Sequence, residues 1–359
     1  MSKQISIQQF FFIFLLSTGL TNQILIVPLI IDAAGRDSWI SVIAGYLMGI
    51  FFFILLLTIT KQLKNISIFE WLELTYNKTL RRIVALFLLV FLGLTGFVTI
   101  KEVVAWTHDI YLPNTPVLAV AFAILATALY ISGNIKFIAI CSGVIFPFVI
   151  AFEIFVALGT IPAKNYSLIL PVLVENEWGD VLNASLFVFA SATEIFMLIL
   201  LQHHIVKKVT FRHLFLLFLF LFLLTIGPLI GSMAIFGPEE AEKLNYPSFF
   251  QWRVLSIGPY FNHLDFFSIY QWLSGTFIRL ALILYLIKEL FQFKKPIIMQ
   301  VVVCALYLLL ILTPISDGQF FVFLKDYFYL GTSIFAISII GLISLLMKIS
   351  GNRVSANEK

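Results

Sequence analysis

Ten long apolar runs, divided by short polar segments, leave this chain one solvent in which it can fold, and that solvent is lipid. The runs fall near residues 8–31, 39–60, 83–106, 116–133, 137–159, 182–203, 213–236, 266–287, 297–315 and 327–348. A helix rises about 1.5 Å per residue, so each run can cross about 30 Å of hydrocarbon. Composition agrees: 61% of the 359 residues are hydrophobic, 12% are charged, 39 are phenylalanine, and mean hydropathy is +1.03. Soluble domains carry roughly a quarter charged residues. So few charges cannot cover this much apolar surface in water. The expected class is an all-α integral membrane protein of about ten transmembrane helices, with residues 1–359 forming a single transmembrane domain.

The first run is too long for a signal peptide and shows no small-x-small cleavage site, so it reads as a span. The longest polar interruption, near 237–263, is too short for a separate soluble domain. Cys141 and Cys304 lie inside apolar runs, which implies neither a disulfide framework nor a metal site. The net charge of +4 is small, and nothing in its distribution suggests nucleic acid.

Lysine and arginine set the expected orientation. With the N-terminus inside, inner segments hold 16 of them: Lys3, Lys61, Lys64, Lys78, Arg81, Arg82, Lys136, Lys207, Lys208, Arg212, Lys288, Lys294, Lys295, Lys348, Arg353 and Lys359. Outer segments hold five: Arg36, Lys164, Lys243, Arg253 and Lys325. Lys101 and Arg279 fall within spans. Both termini are therefore expected on the cytoplasmic side. Between spans two and three, Ser67 to Leu74 places its apolar residues on one side and Glu70 and Glu73 on the other, as a short interfacial helix does.

Two spans carry polar interruptions near their middles. Span one reads Leu16-Ser17-Thr18-Gly19-Leu20-Thr21-Asn22-Gln23, and span six reads Phe189-Ala190-Ser191-Ala192-Thr193-Glu194. They lie five spans apart, and an odd offset forces two halves into opposite orientations. That is the signature of an inverted repeat, about 8–159 and 182–348, with paired broken helices. Unwound backbone is tolerated in lipid only around a cavity or inside protein. Its free helix ends suit a zwitterion such as an amino acid, whereas small residues alone would serve only close packing.

Intramembrane charges are costly and point to the same region. Glu194 shares a face with Ser191, and Arg279 shares one with Trp272, Gly275 and Thr276. Arg279 suits an internal pair with a carboxylate such as Glu194, or a contact to a ligand carboxylate. Glu102, on a face with Thr95, Val98, Thr99 and Trp106, is a cavity candidate, whereas Lys101 can snorkel outward. Glu153 lies in the outer third of span five. His203 and His204, beside Lys207 and Lys208, read as interfacial residues. No GxxxxGK[ST], HExxH, CxxC or GxSxG motif occurs, and no paired polar set stands at a water boundary as a membrane acyl- or glycosyltransferase needs. An enzyme is not expected.

Ile5-Ser6-x-x-Gln9 with the broken first span, then Pro28 and Gly35-Arg36-Asp37-Ser38-Trp39-Ile40, resemble the B subunit of bacterial spore germinant receptors, a branch of the amino acid–polyamine–organocation transporter superfamily. Leu170-Pro171-Val172 with Trp178-Gly179, Tyr246-Pro247-Ser248, Ile257-Gly258 and Trp272 continue the resemblance in order. Two departures are Ser191-Ala192-Thr193 where a glycine is expected before the acid, and His263-Leu264-Asp265 in place of a Glu-Arg-like pair. The resemblance implies a 5+5 inverted repeat of the LeuT-like kind and a nutrient sensor of the spore inner membrane. Its partners would be an A-type membrane subunit, a C-type lipoprotein and a small nutrient such as an amino acid, with no cofactor or metal. The implied pocket, between spans one, three, six and eight, maps onto Thr18, Gly19, Val98, Glu102, Ser191, Glu194, Trp272 and Thr276. An autonomous proton- or sodium-coupled amino acid or polyamine transporter needs the same cavity and is the alternative.

Overall fold

Helices occupy all ten expected positions in a computed structural model that describes residues 5–63, 66–258, 264–291 and 295–357, with side chains to Ser350. Lys3, Lys64, Lys294, Lys359 and the Arg353 side chain, counted above among inner cations, lie outside it, as does His263. We number the helices α1 (7–34), α2 (Ser38–Gln62), α3 (Lys78–Ile110), α4 (Val117–Ile131) and α5 (Ile135–Gly159). They continue as α6 (Trp178–His204), α7 (Phe211–Phe236), α8 (Phe266–Leu290), α9 (Pro296–Ile311) and α10 (Asp317–Ser350). No strand occurs among the described residues.

The protein is an all-α, multi-pass membrane protein. Six segments are long and apolar enough to cross a bilayer, and the first of them, Ile7–Gln62, covers α1 and α2 together. Gly35 separates the two helices at φ +44°, a conformation that a side chain resists. The chain doubles back there, because Asn22 of α1 donates to the Tyr46 hydroxyl of α2 at 3.3 Å. The apolar helices α4 and α9 are shorter, and α8 is long but carries the polar residues described below.

Loops expected on one side touch one another. On the inner side Ile5 pairs with Ile205, the Tyr76 hydroxyl donates to the Leu346 carbonyl at 2.6 Å, and Lys288 donates to the Gly133 carbonyl at 2.7 Å. On the outer side Arg36 meets Glu175 at 2.7 Å and Lys325 meets Asp32 at 2.5 Å. The Asp37 carboxylate accepts from the Leu173 amide at 2.9 Å and the Asn176 amide at 3.1 Å. The turn after α1 thereby grips the segment leading into α6. Ile68–Thr75 is the short helix read from the sequence, capped by Ser67, and its Glu73 faces Arg81 at 3.4 Å.

Apart from a small separate cluster of Val156, Trp252 and Leu255, buried apolar side chains from Ile5 to Met347 form a continuous main core. Its centre is α6, where the most apolar stretch is 94% buried against 22% for α5. Close approach of α2 to α6 depends on Gly45, where a Cβ would stand 2.5 Å from that of Val188 and 2.7 Å from the Ser185 carbonyl oxygen. The outward residues, including Phe51, Phe87, Phe122, Val144 and Leu309, are apolar, as lipid contact requires.

The expected breaks take the form of winding changes rather than unwound backbone. In α1, π turns cover Leu15–Gly19 and Asn22–Ile26. In α6 a tight 3₁₀ turn covers Glu194–Met197. Such turns inside helices mark functional or strained places. Here they lie face to face.

The 16:5 bias and the ten-span count predict the sidedness of labelling. Single cysteines placed beside Lys208 and Lys295, after Cys141 and Cys304 are replaced, should react with an impermeant thiol reagent only from the cytoplasmic side. One beside Glu240 should react only from outside. The reverse pattern, or the same side for all three, overturns the topology.

Candidate functional site

Where α1, α3, α6 and α8 meet, Arg279 of α8 is 4% exposed and fully engaged with its neighbours. Its Nη2 donates to Glu194 Oε1 at 2.6 Å and its Nη1 to Oε2 at 2.7 Å, a bidentate pair. The same Nη1 donates to the Ser17 carbonyl at 3.0 Å, and Nε donates to Thr99 Oγ1 at 3.0 Å. Thr18 Oγ1 adds a contact to Glu194 Oε2 at 3.4 Å. Four helices are thus tied by one guanidinium. The π turn of α1 presents Ser17 to it, and the 3₁₀ turn of α6 begins at Glu194.

Two further polar nodes radiate from α1. Asn22 reaches Tyr46 and Thr225 of α7, each at 3.3 Å, and accepts a short hydrogen bond from Ser191 of α6. Gln23 donates to Glu153 of α5 at 2.8 Å, and Gln271 of α8 donates to the same Glu153 oxygen at 3.1 Å. The Gln23 carbonyl accepts from Ser248 in the outer loop at 2.8 Å. The polar stretch of α1 therefore gives almost every residue a different helix to hold.

Above the ion pair lies space. A cavity of about 410 Å³ opens between α1, α3, the outer loop and the start of α10. Asp32, Glu102, Glu242 and Asp317 line it, with Lys101 and Tyr246. Lys325 neutralises Asp32, and Lys101 donates to the Ile315 carbonyl at 3.3 Å. Its lining therefore favours cationic groups. Glu102, within hydrogen-bonding reach of Tyr246, also lines a void of about 20 Å³ with Thr21, Thr99, Trp272, Gly275 and Thr276. Thr99, which accepts from Arg279 Nε at 3.0 Å, is the link between this void and the ion pair. Trp272 stacks on Trp106, ring centroids 4.3 Å apart.

Of the residues expected at the pocket, Thr18, Ser191 and Glu194 enter the buried polar network, and Glu102, Trp272 and Thr276 line the open space. Gly19 turns elsewhere: a Cβ on it would lie 2.7 Å from Leu224 Cδ1 of α7. Val98 is buried in packing, and its neighbour Thr99 makes the polar contact. Sequence reasoning missed Thr99, Asn22, Gln23, Tyr246 and the use of Glu153. Asn22 and Gln23 stood inside the flagged stretch, and Thr99 shared the flagged face of Glu102.

A family model described as spore germination protein matches residues 4–319. The chain belongs to this family. It is also similar to Spore germination protein XB of Bacillus anthracis, with 33% identity over 318 residues covering 87% of this chain and 88% of the relative. A permease-type family of germination proteins fits a multi-pass helical bundle with buried polar nodes. The segments that carried the resemblance come together: Gly35-Arg36-Asp37 contacts the stretch from Leu170 to Asn176, and Tyr246 lies by Trp272.

The ion pair predicts an asymmetry between its two halves. Breaking a buried pair costs about 3–5 kcal/mol because one charge is left alone. A lone carboxyl can take a proton, whereas a lone guanidinium cannot lose one. Glu194→Gln should therefore lower protein abundance in the membrane more than Arg279→Gln does. The double variant Glu194→Leu with Arg279→Met should recover much of the loss, as read by immunoblot and by thermal unfolding in detergent. Additive losses in the double variant would show that the pair is not coupled.

Proposed function

We propose that the protein is the nutrient-binding subunit of a germinant receptor in the spore inner membrane. Binding of a small zwitterion, an amino acid being the best fit, would trigger germination. The observation that carries this reading is the position of Glu102. It lines both the acidic outer cavity and the small void beside it, a passage that leads toward Thr99 and so toward Arg279. The carboxylate suits the amino group of an amino acid, Trp272 and Thr276 supply the walls, and release of Arg279 from Glu194 would offer a guanidinium to the ligand's carboxylate. The passage is closed here, since about 20 Å³ holds little more than a water molecule. The ligand therefore favours a second arrangement in which α1, α3 and α8 part, and its differential affinity drives the change.

The family assignment supports the germination role. The matched polar interruptions support an inverted repeat of 8–159 and 182–348 within one transmembrane domain, both termini on the cytoplasmic or core side. An A-type membrane subunit and a C-type lipoprotein would complete the receptor and turn the rearrangement into a signal. Transport by the isolated chain is the competing reading, favoured by the same passage.

Spores carrying Glu102→Gln should reach normal protein levels and yet need about tenfold more nutrient for half-maximal germination rate, the loss of roughly 1.4 kcal/mol of a charge-assisted contact. Deleting the A-type partner should abolish the response. An unchanged concentration dependence in Glu102→Gln places the ligand elsewhere. Concentrative amino acid uptake by the purified chain in liposomes establishes the transporter instead.

A further inference from the structure

At the inner end of the bundle, away from the ligand passage, His203 and His204 of α6 face Glu289 of α8. The sequence reading placed the two histidines at the lipid interface, yet they are 8% and 2% exposed. Their neighbour Lys207 is exposed, so it is the 3₁₀ turn Gln202–His204 that tucks the rings inward. His204 Nε2 stands 2.9 Å from Glu289 Oε1, and His203 Nε2 stands 3.7 Å from Oε2. Tyr285, one turn earlier on α8, donates to Glu289 Oε1 at 2.6 Å. The two imidazoles lie against each other, centroids 3.9 Å apart.

As a set of hydrogen bonds this cluster is poorly satisfied. Both Nδ1 atoms, and Nε2 of the adjoining Gln202, are buried with no partner among the described residues. Both rings turn their other nitrogen to a single carboxylate that Tyr285 already engages, and at 3.7 Å His203 is beyond hydrogen-bond range. As a set of metal ligands the spacing is right. Three donor atoms, one from each residue, lie within 4.8 Å of one another. Tetrahedral ligation at about 2.0–2.2 Å puts neighbouring ligand atoms roughly 3.4 Å apart, between the two distances seen.

We propose that His203, His204 and Glu289 bind one divalent transition ion of the zinc type. Two imidazoles and a carboxylate are a zinc donor set that leaves a fourth position for water. Tyr285 then orients the ligating carboxylate, as outer partners of metal ligands do. The placement gives the ion a mechanical role. Glu194 and His204 are ten residues apart on α6, and Arg279 and Glu289 are ten apart on α8. The two helices run parallel and are joined by two rungs about 15 Å apart. An ion at the lower rung fixes α6 against α8 and so opposes release of the upper one.

The test uses the full-length chain, purified in detergent, stripped with chelator and titrated with Co²⁺. One equivalent should bind, with visible absorption of tetrahedral strength, and Zn²⁺ should displace it and raise the thermal midpoint. His203→Asn and Glu289→Gln should each weaken Co²⁺ binding by at least about tenfold. His213→Asn, which alters a half-buried histidine at the start of α7, should leave it unchanged. Among the described residues the His203 ring makes no hydrogen bond, so its variant is expected to fold, and it decides the matter if Glu289→Gln does not survive purification. Absence of stoichiometric binding, or equal binding in His203→Asn and the unaltered chain, overturns the proposal and leaves a proton-sharing network only.

Discussion

The bidentate bond between Arg279 and Glu194 is the constraint on which the rest of the bundle depends. Neither charge is tolerable alone at the depth of hydrocarbon. Their pairing is sufficient only because Ser17, Thr18 and Thr99 meet the remaining hydrogen-bonding capacity. The geometry of four helices is thereby specified from one point. Apolar packing between membrane helices is nearly isoenergetic with packing against lipid tails, so it could not select this arrangement by itself.

The same bond fills the centre of the bundle with an internal carboxylate and guanidinium. On the proposed function a ligand would compete for those partners, and the winding of α1 makes such competition feasible. Its π turns already offer the Ser17 carbonyl to side chains, namely the Thr21 hydroxyl at 2.7 Å and Arg279 at 3.0 Å. Exchanging one such donor for another leaves the helical ladder intact.

The spans, the capped helix at Ile68–Thr75 and the importance of the two polar stretches were legible in the sequence, because hydrophobic length and the cost of burying polar groups are local properties. The direction of individual side chains was less so. Gly19 ends a π turn that rotates it off the face an ideal α-helix predicts, and it meets Leu224 instead. Thr99 rather than Val98 reaches Arg279, a difference of one residue on a helix that is buried on most sides. His203 and His204 misled through their lysine neighbours. Their partner Glu289 lies past the expected end of span eight, and no periodicity could join it to α6.

The enclosure of α6 has a consequence for how the protein is made. Its most apolar stretch is 94% buried, and α1, α2 and α10 are among the helices that cover it. Yet synthesis delivers α6 to the membrane before α8 and α10 exist. At that stage Glu194 lacks Arg279, and an acidic residue at a helix centre costs roughly 2.5–3.5 kcal/mol on insertion. Until α8 brings Arg279, the nascent chain displays an uncompensated polar face to lipid, visible to chaperones and membrane proteases. A lesion that delays the arrival of α8 therefore acts on abundance by prolonging that exposure. Quality control of the whole chain is in this sense exercised through its most hidden helix.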